Sequence, residues 1–382
     1  MKLTLEREVC AKKTQAAISA LGNNPIPILN EALLQVKKDR LFITTSNGEV
    51  QITVSMNCQE VEGETQDVVF DIRLLQTPVT TLKAKEVFLE VIDEIVTFYT
   101  KRTKNKYEVP IIYKADNYPL LNAEEWSSPL ELKGSVFSAM VKKASMFVDA
   151  NNIRTGMKGV SLKSSESVVT MQSVSSSGSI ICHLEVLPPE GEVVFTEMEP
   201  VLIPKAIMNV AQEFEKSSVV KISTDDKEKS LRVHDGSSIV VIRLLSGEFP
   251  PCQPFVDKYE PSINMKLLNE DISLALKRSG SFSNNEGQVR VDMTDETEIT
   301  IECENTAFKK KAVESVPVSF KSEEMNFVFG INYKFISKCL LTVAGENVCI
   351  SQLKKNEIVN ITDDSAEGFT TLWMIAPMII KE

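Results

Sequence analysis

Two histidines, His183 and His234, are all that this chain of 382 residues carries. Chemistry built on an imidazole base or a histidine-rich metal site therefore has few candidates. The seven cysteines (Cys10, Cys58, Cys182, Cys252, Cys303, Cys339 and Cys349) stand singly, and none forms a CxxC pair. That spacing speaks against a zinc site or a dithiol redox motif, and the odd number reads as reduced, mostly buried thiols. The phosphate-cradling GxxxxGK[ST] loop is missing, as are GxGxxG, GxSxG and HExxH. Cys182-His183 is the one adjacent thiol–imidazole pair, and neighbours on a strand point to opposite faces, so it is poorly placed as a nucleophile and base. The prediction is no enzyme, no cofactor and no metal. Apolar runs of about 18 residues are absent too, so no helical membrane span is predicted. The opening Met1-Lys2-Leu3-Thr4-Leu5-Glu6-Arg7-Glu8 lacks the apolar core of a signal peptide. Both point to the cytoplasm.

What is present is the balance of a soluble globular protein, 43% hydrophobic and 25% charged residues. The length suits two or three domains. The formal net charge of −11 runs against ordinary DNA binding, in which lysines and arginines neutralise phosphates.

The chain repeats itself three times at a period of roughly 130 residues. Each unit opens with a short strand and an amphipathic helix: Leu3-Thr4-Leu5 then 9–21, Leu130-Glu131-Leu132 then 136–148, and Ile263-Asn264-Met265 then 268–282. In the second helix the apolar residues Phe137, Met140, Val141, Ala144 and Val148 recur at helical spacing. Each helix carries a basic pair, Lys12-Lys13, Lys142-Lys143 and Lys277-Arg278, the first about a turn earlier than the others. Alternating strands follow, such as Leu41-Phe42-Ile43-Thr44-Thr45 and Val289-Arg290-Val291. A second helix is predicted at 204–215 and 332–341, with a counterpart near 70–75 that Pro78 shortens. Units one and two close on an aromatic–proline pair, Tyr118-Pro119 and Phe249-Pro250. The fold class is therefore α+β, one domain used three times, with boundaries at 1–127, 128–259 and 260–382.

These residues resemble a known family, the bacterial DNA polymerase III beta subunit or beta sliding clamp, over the whole chain. The resemblance rests on the opening octapeptide, Leu21-Gly22 with Pro27-Ile28-Leu29, and Ser127-Ser128-Pro129. It also rests on Ile153-Arg154 before Gly159-Val160, Ser246-Gly247-Glu248-Phe249-Pro250, Ser283-Asn284 with Val289-Arg290, and Ala376-Pro377-Met378. It implies three tandem clamp domains, helices lining a hole and antiparallel sheets outside, and two chains joined head to tail as a homodimeric ring. The implied function is a processivity factor that encircles double-stranded DNA and tethers the replicative polymerase, loaded by a clamp loader, with no membrane partner. A ring holds DNA by topology, which answers the charge objection: a few lining cations suffice, namely Lys12, Lys13, Lys142, Lys143, Lys205, Lys277, Arg278, Lys334 and Lys338, and the net acid lies outside.

The resemblance also implies an apolar pocket for partner peptides between domains two and three, built from Arg154, Met157, Ile180, Pro250, Phe255, Met374, Ile375, Pro377 and Met378. Here the chain departs from the family. Ser175-Ser176-Ser177-Gly178-Ser179-Ile180 replaces a stretch with an acid, an imidazole and a guanidinium, and Pro254 and Ile379 stand where the family has arginines. The ring joint departs as well. Lys104, Lys106, Tyr107 and Phe282 are the predicted interface residues, but Phe308-Lys309-Lys310-Lys311 faces the basic stretch 101–107, with Glu302, Glu304 and Glu314 as compensating acids. A divergent clamp with altered peptide preference and a weakened, salt-dependent ring is expected. The alternative is a clamp-fold adaptor that binds peptides without being loaded on DNA.

Overall fold

The computed structural model describes residues 1–101, 105–123, 125–188, 194–225, 227, 229–259, 265–322, 328–352, 357–363 and 368–380. The first third holds β1 (Lys2–Glu6), α1 (Arg7–Ile18), β2 (Ala32–Lys37), β3 (Arg40–Ser46), β4 (Val50–Asn57), β5 (Glu60–Glu62), β6 (Val68–Phe70), α2 (Arg73–Thr81), β7 (Glu86–Ile92), β8 (Ile95–Tyr99) and β9 (Lys106–Pro110). The second holds β10 (Leu130–Leu132), α3 (Gly134–Ser145), β11 (Gly159–Ser165), β12 (Val168–Val174), β13 (Ile180–Val186), β14 (Met198–Pro204), α4 (Ile207–Ala211), β15 (Val220–Thr224), β16 (Ser230–His234), β17 (Ser238–Arg243) and α5 (Gln253–Val256). The third holds β18 (Met265–Leu268), α6 (Asn269–Ser279), β19 (Gln288–Asp292), β20 (Glu298–Asn305), β21 (Lys310–Pro317), β22 (Phe320–Lys321), β23 (Val328–Asn332), α7 (Tyr333–Leu340), β24 (Asn347–Ser351), β25 (Val359–Asp363) and β26 (Thr370–Ile375). Strand, helix, three strands, strand, helix, three strands recurs in all three, with short additions.

The chain gathers into two compact units, Met1–Ser138 with Ala206–Leu244, and Ala139–Lys205 with Leu245–Glu382. The division runs through residues 128–259 because the sheets do. The first unit contains the sheets β5-β1-β7-β8-β9 and β10-β15-β16-β17-β4-β3-β2-β6. In the second of these, β17 of the middle repeat pairs antiparallel with β4 of the first, Val240 opposite Ile52. The second unit contains β14-β11-β12-β13-β26-β25-β24-β18-β22 and β21-β20-β19-β23. There β26 pairs antiparallel with β13, Trp373 opposite Cys182. Each unit thus contains one joint at which one repeat's last strand extends its predecessor's sheet.

Small side chains let the helices lie close on these sheets. In α1 the buried residues are Cys10, Thr14 and Ala17, and Thr45 on β3 donates its hydroxyl to the Ala17 carbonyl at 2.5 Å. Ser173 on β12 does the same to Ala144 of α3 at 2.6 Å. In the first unit Phe137 and Phe214 are fully buried and meet edge to face, centroids 6.2 Å apart. Burial of each ring contributes about 1.5–3 kcal/mol, and the edge contact about 0.5–1.5 kcal/mol more.

Two predicted elements shift. Residues 68–70 form a strand, and α2 begins at Arg73 and runs through Pro78 to Thr81. The proline does not end it: the missing N–H leaves only the Leu74 carbonyl without its i+4 donor, in the first turn on an exposed residue. The helix expected over 204–215 starts later, because β14 extends to Pro204; α4 covers five residues and continues as a 3₁₀ turn, Gln212–Phe214. Ile263 and Asn264 of the predicted third opening strand lie outside the described residues.

Candidate functional site

The predicted pocket residues fall in the second unit, around an apolar floor of Met157, Val174, Ile181, Cys252, Leu372 and Met374, against which Phe249, Val256, Tyr259 and Ile358 pack. Met157 ends a 3₁₀ turn, Thr155–Met157. Glycine at 156 makes that turn's position possible: a Cβ there would sit 1.9 Å from the Glu248 carbonyl oxygen. On one side of the floor a cleft is walled by Asn152, Ile153, Arg154, Met157 and the hairpin residues Ser176, Ser177 and Gly178. On the other a cleft of about 370 Å³ is walled by Phe255, Tyr259, Ile358, Asn360, Met374 and Pro377, with Lys258 and Glu357 at its edge.

Short elements aim these side chains. Pro254 lies in the first turn of α5, where its missing N–H would have no helical partner. The single turn leaves Phe255 46% exposed and turns Val256 to the floor. Tyr259 is fixed by hydrogen bonds of its hydroxyl with Ser351 and Thr362, and burial pushes its phenol up from the ordinary value.

Of the nine predicted pocket residues, Arg154, Met157, Phe255, Met374 and Pro377 line these clefts. Ile180 and Ile375 need correction. They pair with each other across β13 and β26 and are fully buried, on the same strand face as Cys182 and Trp373. Strand alternation puts their neighbours Ile181 and Met374 on the floor instead. Met378 is held elsewhere: its N–H donates to the Gly330 carbonyl on β23 at 2.8 Å. Pro250 is half-buried and leads toward α5, and its neighbour Phe249 makes the floor contact. Tyr259 and Ile358 escaped the sequence reading; the one signal was Tyr259 standing just after the Phe255 turn.

Cys182 and His183 alternate in the same way. Cys182 is in the core, its thiol pushed up to about 12 by burial. His183 faces the other side, with Gln172 at Nδ1 (2.7 Å) and Glu185 2.8 Å from Nε2. They cannot act as nucleophile and base. Among the described residues no cluster of His, Cys, Asp or Glu is arranged to hold a metal, and no helix is long and apolar enough to cross a membrane.

The basic pairs divide in a regular way. In each, the first member is exposed: Lys12, Lys142 and Lys277. The second is committed to an acid. Lys13 meets Glu213 at 2.6 Å and Ser238 Oγ at 3.0 Å. Lys143 meets Asp363 at 2.8 Å and Thr371 Oγ1 at 3.3 Å. Arg278 makes a two-pronged contact with Glu314 at 2.9 and 2.5 Å, which holds the carboxyl below and the guanidinium above their ordinary values. Consecutive helix residues stand about 100° apart, so in the first two pairs one member faces water while the other turns to the packed edge, whereas Arg278 stays 57% exposed while holding Glu314. Lys143 corrects the sequence reading outright: at 2% exposure, beneath Phe369 and Trp373, its ammonium cannot reach DNA. Lys13 is largely enclosed, and Lys205 spends its ammonium on the Val148 carbonyl at 2.6 Å. Lys334 and Lys338 on α7 are exposed.

Of the predicted joint residues, Lys106 and Tyr107 sit on an open sheet edge. β9 is the edge of its sheet, with Lys106 exposed and paired to Glu108 at 2.5 Å, and Tyr107 exposed beside Phe98. Lys104 lies outside the described residues. β21 is the edge of the four-stranded sheet, and Phe282 closes the turn after α6. Two of the compensating acids are already engaged within the chain: Glu302 with Lys311 and Arg290, Glu314 with Arg278.

Comparison with known proteins agrees with this architecture. The family profile of the DNA polymerase III beta subunit, N-terminal domain, matches residues 1–122. The beta sliding clamp of Vibrio cholerae is 23% identical over 377 residues, covering 96% of this chain and 98% of that one. That of Caulobacter vibrioides is 22% identical, covering 91% and 90%. Among solved structures, a sliding clamp (DNA polymerase III subunit beta) from Pseudomonas aeruginosa bound to griselimycin superposes with a TM-score of 0.85 at 16% identity, and the beta subunit from Thermotoga maritima with 0.82 at 17%, each over the full length of both chains. Residues 1–122 thus match the N-terminal domain of the DNA polymerase III beta subunit, and from end to end the chain is similar in sequence, at 20–23% identity, and in fold to bacterial beta sliding clamps.

Proposed function

We propose that the protein is a DNA sliding clamp, a non-catalytic processivity factor of the cytoplasm that encircles duplex DNA and tethers a replicative polymerase. Its three repeats, 1–127, 128–259 and 260–382, act as three clamp domains, and two chains close head to tail into a ring. One observation carries this reading. The pairings β4 with β17 and β13 with β26 join each repeat to the next, and the equivalent strands of the outer repeats, β21 and β9, are left as open edges. An unpaired edge is a template for another strand, and a second copy supplies the matching one at both ends.

Lys12, Lys142, Lys277, Lys334 and Lys338, all exposed, face the DNA. So few cations suit a ring that must slide, since each added phosphate contact strengthens binding and its salt dependence. The clefts beside Met157 and Met374 take the linear peptides of the polymerase and clamp loader, with aliphatic and aromatic side chains in the Phe255–Tyr259 cleft. The hairpin at Ser176 and Ser177 offers hydroxyls where relatives carry charges, so the partner peptides differ from theirs.

The test is primer extension on primed circular DNA with the cognate polymerase and loader. Longer products in the presence of the protein support the clamp. No gain in product length overturns it. Peptide binding without loading would favour a clamp-fold adaptor, the reading that the serine-rich hairpin motivates.

A further inference from the structure

The two closed joints are built alike, residue by residue, and this fixes how the open one closes. On one side the strand after each first helix's partner is reached by the same steps. Leu5, Leu132 and Leu267 lie opposite Val87, Val220 and Val348. The next residues along, Phe88, Lys221 and Cys349, lie opposite Tyr99, His234 and Thr362. Those in turn lie opposite Lys106, Ile239 and Leu372. Tyr107 is therefore the counterpart of Val240 and Trp373. On the other side Thr45 and Ser173 bond to their helices at matching positions, and Cys303 does so through Ser279. Their partners across the hairpins are Ile52, Cys182 and Ala312. In the closed joints Val240 meets Ile52 and Trp373 meets Cys182, all four fully buried.

Resting on the ring reading above, we propose that the open joint closes in one register, Tyr107 of one protomer directly opposite Ala312 of a second copy, above an own-chain ion pair, Arg278 with Glu314, where the other joints carry a lysine reaching across. The large ring against a small side chain matches the Trp373–Cys182 pair. In the same register Glu108 stands opposite Lys311, opposite charges on the outer face, and Lys106 covers Val313, which is 57% exposed on β21. The next inner row makes the difference between joints. Ser238 and Thr371 receive Lys13 and Lys143 there. The counterpart, one residue before β9, is Asn105, which has no charge to offer, and Arg278 already holds Glu314. Closure buries that pair instead of creating a new one.

Disulfide trapping in the full-length protein tests the register. The seven native cysteines are all buried, so background coupling is low. Tyr107→Cys with Ala312→Cys is expected to give covalent dimer under mild oxidation more efficiently than Tyr107→Cys with Lys310→Cys or with Glu314→Cys. Glu314→Gln, which leaves Arg278 to be buried without its carboxylate, is expected to weaken the wild-type dimer about tenfold or more by sedimentation, with the melting of the monomer unchanged. Trapping that is strongest at a shifted pair, or a Glu314→Gln dimer as tight as wild type, overturns the register and leaves the ring intact. Failure of the wild-type protein to dimerise at any concentration overturns the ring reading itself.

Discussion

Lys142 and Lys143 are neighbours in sequence, and their loss should have opposite consequences. The Lys143 ammonium lies 2.8 Å from Asp363 and 3.3 Å from Thr371 Oγ1, over the rings of Phe369 (5.0 Å) and Trp373 (5.6 Å). Both charged side chains are almost fully shielded, at 3% and 2% exposure. Lys143→Ala leaves the Asp363 carboxylate buried without its lysine, at a cost of about 3–5 kcal/mol. For a unit of this size each kcal/mol moves the midpoint by about 2–4 °C, so a fall of about 6–20 °C is expected in the transition that reports the second unit. Replacing both partners by apolar residues, Lys143→Met with Asp363→Leu, should recover most of it, because a buried ion pair gains little over a well-packed apolar pair. Lys142→Ala should stay within about 0.5 kcal/mol of wild type, its loss being felt only in the proposed contact with DNA. Differential scanning calorimetry of the four proteins decides the matter. A Lys143→Ala variant melting within about 1 °C of wild type would refute the buried-pair argument.

Two other outcomes follow from the clefts and from β13. Phe255→Asp puts a carboxylate on an exposed cleft wall, so it should weaken binding of a polymerase-derived peptide about tenfold to a hundredfold with an unchanged melting curve, as fluorescence anisotropy would report. His183 is held neutral, chiefly by burial, with its titration below the ordinary value despite Glu185. The unfolded chain therefore binds a proton first as pH falls. The histidine's contribution is complete above about pH 6.5 and is lost as pH drops toward the folded value, and denaturation of His183→Gln should show a flatter acid limb.

The helices and the repeat were legible because their signals are local. Phe137, Met140, Val141, Ala144 and Val148 were read as one apolar stripe, and all are buried. The charge partners were not legible, since Lys13 finds Glu213 and Lys143 finds Asp363 only through the fold. A basic pair looks the same in sequence whether one or both members meet solvent. The face of β13 was also hidden. Ile180-Ile181-Cys182 is an unbroken apolar run, buried on both sides, and gives no alternation from which to read direction. Pro78 misled because its cost depends on where the missing donor falls, and here it falls in the first turn, at the exposed Leu74. Tyr259 and Ile358 have no motif of their own; they became cleft walls because β24, β25 and β26 bring them beside Met374.

The position of β26 constrains how the protein can be made. That strand lies between β13 and β25, and within its sheet it alone links the four strands on one side to the four on the other. It is also the latest of the nine to be synthesised. Until it emerges from the ribosome, the edge of β13, made nearly two hundred residues earlier, stands open to wrong partners. Chaperone dependence, and sensitivity to premature stop codons that remove only residues from 370 onward, should both trace to this one strand.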